Sequence, residues 1–192
     1  MQKFDNTLMQ TALVWSKESY CKRLQVGAII SKDGRIISTG YNGTLSKTKN
    51  NCEEFITDCE EREKVTCKKC NGKGSYLKTS FPSDILENYT CEECGGEGKH
   101  CTDLKTNEFV IHAEQNALLF AMKNGISTVG ATMYITHSPC PTCAKLIAGA
   151  GIIRVCYNEH YRNNDGIEFL EKVGVEVEQI VFDSRNKKYK KD

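Results

Sequence analysis

The chain predicts an α/β fold in which helices pack on a mixed sheet, and three observations carry that expectation. After residue 108 the apolar pattern switches repeatedly between helical and strand periods. Before residue 45 a helical pattern is followed by two β-branched runs joined by a tight-turn dipeptide. Between these regions lies a long polar stretch with repeated cysteine pairs, which reads as an insert because it has too little apolar content for a core. The length of 192 residues suits one domain with a sizeable core and a smaller insert.

Taken in order, residues 5–20 predict an amphipathic helix with Leu8, Ala12 and Trp15 on one face. VGAIISKDGRIISTGYNG, residues 26–43, predicts a hairpin turning at Asp33-Gly34. Residues 111–124, IHAEQNALLFAMKN, carry Ala, Leu, Phe and Met at helical spacing and stop at Gly125. ATMYITH then predicts a strand, TCAKLIAGAG a helix opened by Pro139, IIRVCYN a strand, GIEFLEKVG a helix and VEVEQI a last strand. The main domain is expected over 1–180, interrupted by an insert at 60–100, with a short basic tail at 181–192 that reads as a solvated end.

Composition narrows the function classes. A formal net charge of +1 gives no global field for a long polyanion, so a nucleic-acid partner is not expected. No apolar run is long enough to span a bilayer, and MQKFDNT lacks the form of a signal peptide, so a cytoplasmic protein is expected. In a reducing compartment, 11 cysteines with several at CxxC spacing point to metal and not to disulfides.

The chemistry is concentrated in His112-Ala113-Glu114 and Pro139-Cys140-Pro141-Thr142-Cys143. His112, Cys140 and Cys143 supply three zinc ligands, and a catalytic zinc with three protein ligands keeps a position for water and lowers its pKa to about 7. Glu114, two residues from His112 at a helix start, enters the same pocket as a proton carrier and not as a ligand. The pattern H-x-E with P-C-x-x-C is the signature of zinc nucleobase deaminases. Both halves fall at helix N-termini, where unpaired amides and partial positive charge favour thiolate. An isolated CxxC would be ambiguous, but joined to HxE and a preceding proline it is specific.

The insert carries CxxCxGxG twice, as Cys67, Cys70, Gly72, Gly74 and again as Cys91, Cys94, Gly96, Gly98. The repeat resembles the zinc modules of DnaJ-type chaperones. Four thiolates close a tetrahedral shell, so this zinc is expected to stabilise a small zinc ribbon and not to catalyse. Chaperone activity does not follow from the motif.

QVGAII, GRIISTGYNG, HAEQNALLFA and GATMYITHSPCPTCAKLIAGAGI together resemble the deoxycytidylate (dCMP) deaminases, the phage branch above all. That resemblance implies the cytidine-deaminase fold, an α/β/α sandwich around a five-stranded mixed sheet. It implies Zn2+-dependent conversion of dCMP to dUMP and ammonia for thymidylate synthesis. It also implies a homohexamer with dCTP as activator, accompanied by Mg2+, and dTTP as inhibitor. By the same resemblance Asn42 bonds the sugar hydroxyl, although Asn42-Gly43 also suits a plain turn. Tyr161 matches a substrate-contact tyrosine able to reach a phosphate, or it is a packed aromatic. The Ala113 amide and Ser138 carbonyl would read the base edge. Lys22 and Arg23 are candidates for the 5′-phosphate, or a solvated basic pair. A further structural zinc is implied at Cys21, Cys52, His100 and Glu108, with Cys101 or Cys59 able to replace the glutamate; the gap from Asn107 to His112 is two residues longer than in the phage form. Cys156, in an apolar strand, reads as core. Two other function classes stand beside this one: a tRNA or single-stranded DNA deaminase, and a non-catalytic binding protein, against which Glu114 argues.

Overall fold

The computed structural model describes residues 3–45, 48, 51–55, 64–80, 85–92, 94, 96–101 and 104–181. The basic tail beyond residue 181, Cys59, and the side chains of His100 and Cys101 lie outside the described set. The chain divides into two compact units, one formed by 1–52 with 108–192 and the other by 53–107.

In the first unit, α1 spans Asp5–Ser16 and packs on the hairpin strands β1 (Gly27–Lys32) and β2 (Arg35–Tyr41). The helix stops before residue 20 because the polar residues that follow are held as a loop by side chains: Ser19 Oγ donates to the Asn42 carbonyl and Gln25 Nε2 to the Ser19 carbonyl. Asp33 and Gly34 turn the hairpin with φ of 52° and 73°, both in the left-handed region that this tight turn needs.

The second unit is built from short antiparallel pairs. β3 (Glu53–Phe55) pairs with β8 (Leu104–Thr106), β4 (Lys64–Thr66) with β7 (Lys99–Cys101), and β5 (Ser75–Ser80) with β6 (Ile85–Thr90). Pairing of β3 with β8 makes this unit wider than the span of 60–100 suggested by the cysteine repeats.

The chain then continues as α2 (Ala113–Lys123), β9 (Thr132–His137), α3 (Pro141–Gly149), β10 (Arg154–Glu159), α4 (Asp165–Lys172) and β11 (Glu176–Gln179). The strand order is β2-β1-β9-β10-β11; β1 is antiparallel to both neighbours, whereas β9, β10 and β11 are parallel. The sheet is therefore five-stranded and mixed.

The period-two pattern of the strands divides the core between the faces. Ile29, Tyr134 and Cys156 meet Leu8, Met9 and Ala12 of α1 on one side. Ala28, Ile30, Met133, Ile135 and Val155 meet Ala113, Ala117, Ala144, Ile147 and Leu170 of α2, α3 and α4 on the other. Three layers result, with Cys156 in the core as its apolar strand predicts.

Close approach on the second face depends on Gly40. A Cβ there would lie 2.3 Å from the Ala113 carbonyl oxygen and 2.5 Å from the Ala117 nitrogen, so only glycine lets the first turn of α2 rest on β2. Ser38 Oγ donates to the Ala117 carbonyl at 2.6 Å and Asn116 Nδ2 to the Tyr41 carbonyl at 2.9 Å, fixing α2 along the strand. The carboxyl ends of parallel β9 and β10 then face the start of α2, which is where α/β sheets build their sites.

Candidate active site

His112 is the N-cap of α2 and Cys140 the N-cap of α3, with Pro141 at the first helical position and Cys143 two residues on. The His112 backbone N–H donates to Gln115 Oε1 at 3.0 Å, which fixes the entry into the helix. A bridge between Gly43 and Ile111 holds the preceding residue against the end of the hairpin. His112 Nδ1 lies 3.6 Å from Cys140 Sγ and 3.4 Å from Cys143 Sγ. A tetrahedral zinc with bonds of about 2.3 Å to sulfur and about 2.1 Å to nitrogen places such atoms about 3.6 Å apart, so the spacing fits that ion. The donor set, one imidazole and two thiols, suits zinc by its chemistry as well.

Glu114 is buried on the first turn of α2, and burial pushes its carboxyl above the ordinary range. The Cys143 thiol bonds to it, yet Glu114 stands outside the three-atom ligand cluster. A hydrogen bond from the Cys143 thiol, with a second from His112, pulls Cys140 down to about 3, while Cys143 is driven up. Ligation by both sulfurs would require loss of the Cys143 proton, since the thiolate is the ligand.

A cleft of about 810 Å³ opens beside the carboxyl ends of β9 and β10, with Lys17, Lys22, Arg23 and Gln25 on one wall and His137 and Glu159 on the other. His137 Nε2 lies 3.4 Å from Glu159 Oε2, and burial lowers the histidine while Glu159 opposes that shift. Ser138, which follows His137, donates its N–H to the Glu159 carbonyl and accepts at Oγ from the Tyr161 N–H at 2.8 Å. Arg162 lies over the Tyr161 ring at 5.0 Å, and while the Cys140 hydrogen bond raises His112, Arg162 opposes that shift electrostatically.

The family model described as cytidine and deoxycytidylate deaminase zinc-binding region matches residues 2–159. The chain belongs to the cytidine and deoxycytidylate deaminase family. It is 39% identical over 184 residues to the deoxycytidylate deaminase of Enterobacteria phage T4, covering 95% of this chain and 92% of that one. It is 32% identical to ComE operon protein 2 of Bacillus subtilis, covering 86% of this chain and 65% of the relative. Among solved structures, the dCMP deaminase of cyanophage S-TIM5 in complex with dCMP and dUMP superposes with a TM-score of 0.65 at 36% identity, covering 94% of this chain and 99% of that one.

Within this deaminase, the sequence-derived residues fall into distinct groups. Ala113 and Ser138 are buried next to the ligand cluster. Asn42 has both ends of its carboxamide engaged, Oδ1 accepting from the Val26 N–H and Nδ2 donating to the Leu24 carbonyl, each at 2.8 Å. It therefore braces the loop that carries Lys22 and Arg23, and the second lone pair of Oδ1 and second hydrogen of Nδ2 remain for a ligand. Lys22 and Arg23 line the cleft with Lys17 and His137; these last two, and Arg162 stacked on Tyr161, were missed by sequence reasoning. A histidine preceding Ser-Pro-Cys and an arginine after Tyr161 were the available signals.

Of the further zinc set, the side chain of His100 lies outside the described residues. Cys21 and Cys52 are paired with each other, their Cα atoms 5.1 Å apart, and Glu108 is exposed in the turn after β8. Among the described residues the ligand clusters are those at His112 and in the insert, so Glu108 does not join Cys21 and Cys52. In the insert the other predicted set does gather: Cys67, Cys70, Cys91 and Cys94 are all buried and within 4.8 Å of one another.

Proposed function

We propose that this deaminase hydrolyses dCMP to dUMP and ammonia, and the observation that carries the reading is the His112–Cys140–Cys143 cluster with Glu114 buried beside it. The similarity to the phage T4 and S-TIM5 enzymes supplies the substrate. A zinc held by His112, Cys140 and Cys143 would activate water at neutral pH. Glu114 does the proton work: its carboxylate takes one proton from the attacking water and gives it to the ring nitrogen, then takes the remaining proton of the added hydroxyl and delivers it to the amino group as C–N cleavage releases ammonia. Its burial, which raises its affinity for protons, suits a group that must hold one between steps. The Ala113 amide and Ser138 carbonyl orient the base edge, and Asn42 reaches the sugar hydroxyl while bracing the loop.

Lys22 and Arg23, joined by Lys17 and by Arg162 over the Tyr161 ring, provide positive charge for the 5′-phosphate, and the Tyr161 hydroxyl provides a donor. Binding energy from that remote group orients the base, so removing it lowers kcat as well as raising KM. The family resemblance alone supports a homohexamer under dCTP and dTTP control, with Mg2+ accompanying dCTP, and supports a zinc shared by Cys21 and Cys52 with His100. Thiolate ligand sets suit a reducing compartment, hence the cytoplasm.

Ammonia release measured on dCMP, deoxycytidine, CMP, dCTP and a short single-stranded oligonucleotide tests the function. Turnover of dCMP well above that of deoxycytidine is expected. Efficient turnover of the oligonucleotide with dCMP inert would replace this reading with the polynucleotide one.

A further inference from the structure

The deaminase chemistry makes no use of the insert, whose four cysteines sit in two lobes with matching connections. Cys67 Sγ is 3.7 Å from Cys91 Sγ, and Cys70 Sγ is 3.7 Å from Cys94 Sγ. Four thiolates around zinc at about 2.3 Å define tetrahedron edges of about 3.8 Å, whereas a disulfide would need about 2.05 Å. The backbone is arranged toward the sulfurs: the Gly74 N–H donates to Cys70 Sγ and the Gly98 N–H to Cys94 Sγ, both at 3.3 Å. The lobes exchange hydrogen bonds, Cys67 N–H to the Gly98 carbonyl at 2.9 Å and Cys91 N–H to the Gly74 carbonyl at 2.8 Å. Gly74 and Gly98 both have positive φ, and a Cβ would meet the facing carbonyl oxygen at 1.9 Å for Gly74 and 2.2 Å for Gly98. The glycines are therefore required by the approach of one lobe to the other. Among the described residues, the buried cluster of this unit is the four cysteines themselves. Ser75 and Thr90, the ends of the β5–β6 hairpin, directly flank the two lobes, and β4 and β7 leave from their other ends.

We propose that Cys67, Cys70, Cys91 and Cys94 hold a closed structural zinc that serves as the core of unit 53–107, so that this unit folds with its metal while the catalytic unit keeps its own fold and ion. A shell of four protein thiolates leaves no position for water, so the ion is structural and thiolate-selective. The test uses the full chain and needs no substrate. In C67S/C91S, zinc analysis should show one equivalent fewer, and trypsin should cut at lysines of the insert while residues 108–181 stay resistant. Cobalt-substituted protein should lose about two thirds of its thiolate-to-metal absorption in the same variant, since two of six ligating thiolates remain. If the variant does not fold, stepwise mercurial titration of wild-type thiols should release one zinc for four insert cysteines. An unchanged zinc count in the variant, or insert thiols that react without releasing metal, would overturn the proposal.

The two lobes differ in one systematic respect. Each charged position is inverted: Lys68, Lys69 and Lys73 in the first lobe correspond to Glu92, Glu93 and Glu97 in the second. Lys68, Lys69, Lys73, Glu92 and Glu97 are exposed, and Lys69 and Glu97 also interact within the chain. A polyanion would be repelled by the acidic lobe, whereas a second copy of this chain offers both signs in a matching arrangement, as a two-fold contact requires. We infer that the insert pairs with the insert of a second copy, basic lobe to acidic lobe. Zero-length carbodiimide cross-linking of mixed light and heavy isotope-labelled protein should give mixed-label links between Lys68 or Lys73 and Glu92 or Glu97. Those links should disappear in K68E/K73E and return in the full swap K68E/K73E/E92K/E97K. Links confined to single-label chains would show that the lobes neutralise each other internally and would overturn the inference.

Discussion

Glu114 has its position set by one helical turn and its chemistry set by burial. On the proposed mechanism Glu114 moves protons without ligating the ion, so Glu114→Gln should retain the zinc of the His112 site while turnover falls by at least about 10²–10⁴-fold, measured by metal content and ammonia release on one preparation. Retention of activity within about tenfold would remove it from the mechanism. Arg162→Ala and Arg23→Ala should lower kcat/KM for dCMP by about tenfold or more while changing the weaker deoxycytidine rate little, since a charged hydrogen bond contributes about 1.5–3 kcal/mol. Equal losses on both substrates would give these arginines a structural role. Cys21 separates two readings directly: Cys21→Ser should remove one zinc equivalent if this thiol ligates metal with Cys52, and none if the pair seen in the structure is a disulfide.

At the scale of elements, α2 carries His112 and Glu114, and Gly40 sets how closely it can lie on the sheet. Gly40→Ala forces a Cβ into helix backbone, which cannot yield as a side chain would. A loss of roughly 1–3 kcal/mol in urea unfolding is expected, with a fall in kcat as the two site residues shift. The start of α1 is pinned differently. Asp5, fully buried, accepts from Arg154 at 3.0 and 2.9 Å and from the Tyr134 hydroxyl at 2.7 Å, while Glu178 pairs with the same guanidinium. Breaking a buried pair from one side leaves an uncompensated charge, so Asp5→Asn should cost about 3–5 kcal/mol by denaturant unfolding. A loss below about 1 kcal/mol would mean that water or Glu178 compensates.

For the whole molecule, the same network gives stability a pH dependence. The Arg154 hydrogen bond holds Glu178 below the ordinary carboxylate range. A depressed folded pKa means that this stabilisation is complete above the unfolded value of about 4.3 and is lost as pH falls through the folded value. The unfolding midpoint should therefore decline below about pH 4.3, and Glu178→Gln should flatten that part of the curve. The alternation of strand and helix, the Asp33-Gly34 hairpin, the grouping of His112 with Cys140 and Cys143 and the paired cysteine repeats were all legible in the sequence, because each is a pattern of period, turn chemistry or spacing. The extent of the insert unit and the end of α1 at Ser16 were not, since short strand pairs and loop hydrogen bonds join residues far apart in the chain. Nor did the sequence show Lys17 and His137 lining one cleft with Lys22 and Arg23, Arg162 stacked on Tyr161, the double duty of Asn42, or Cys21 apposed to Cys52. Chemistry that depends on residue type at fixed spacing is written along the chain; charge, burial and pairing depend on what the sheet order brings together, and only the folded structure decides them.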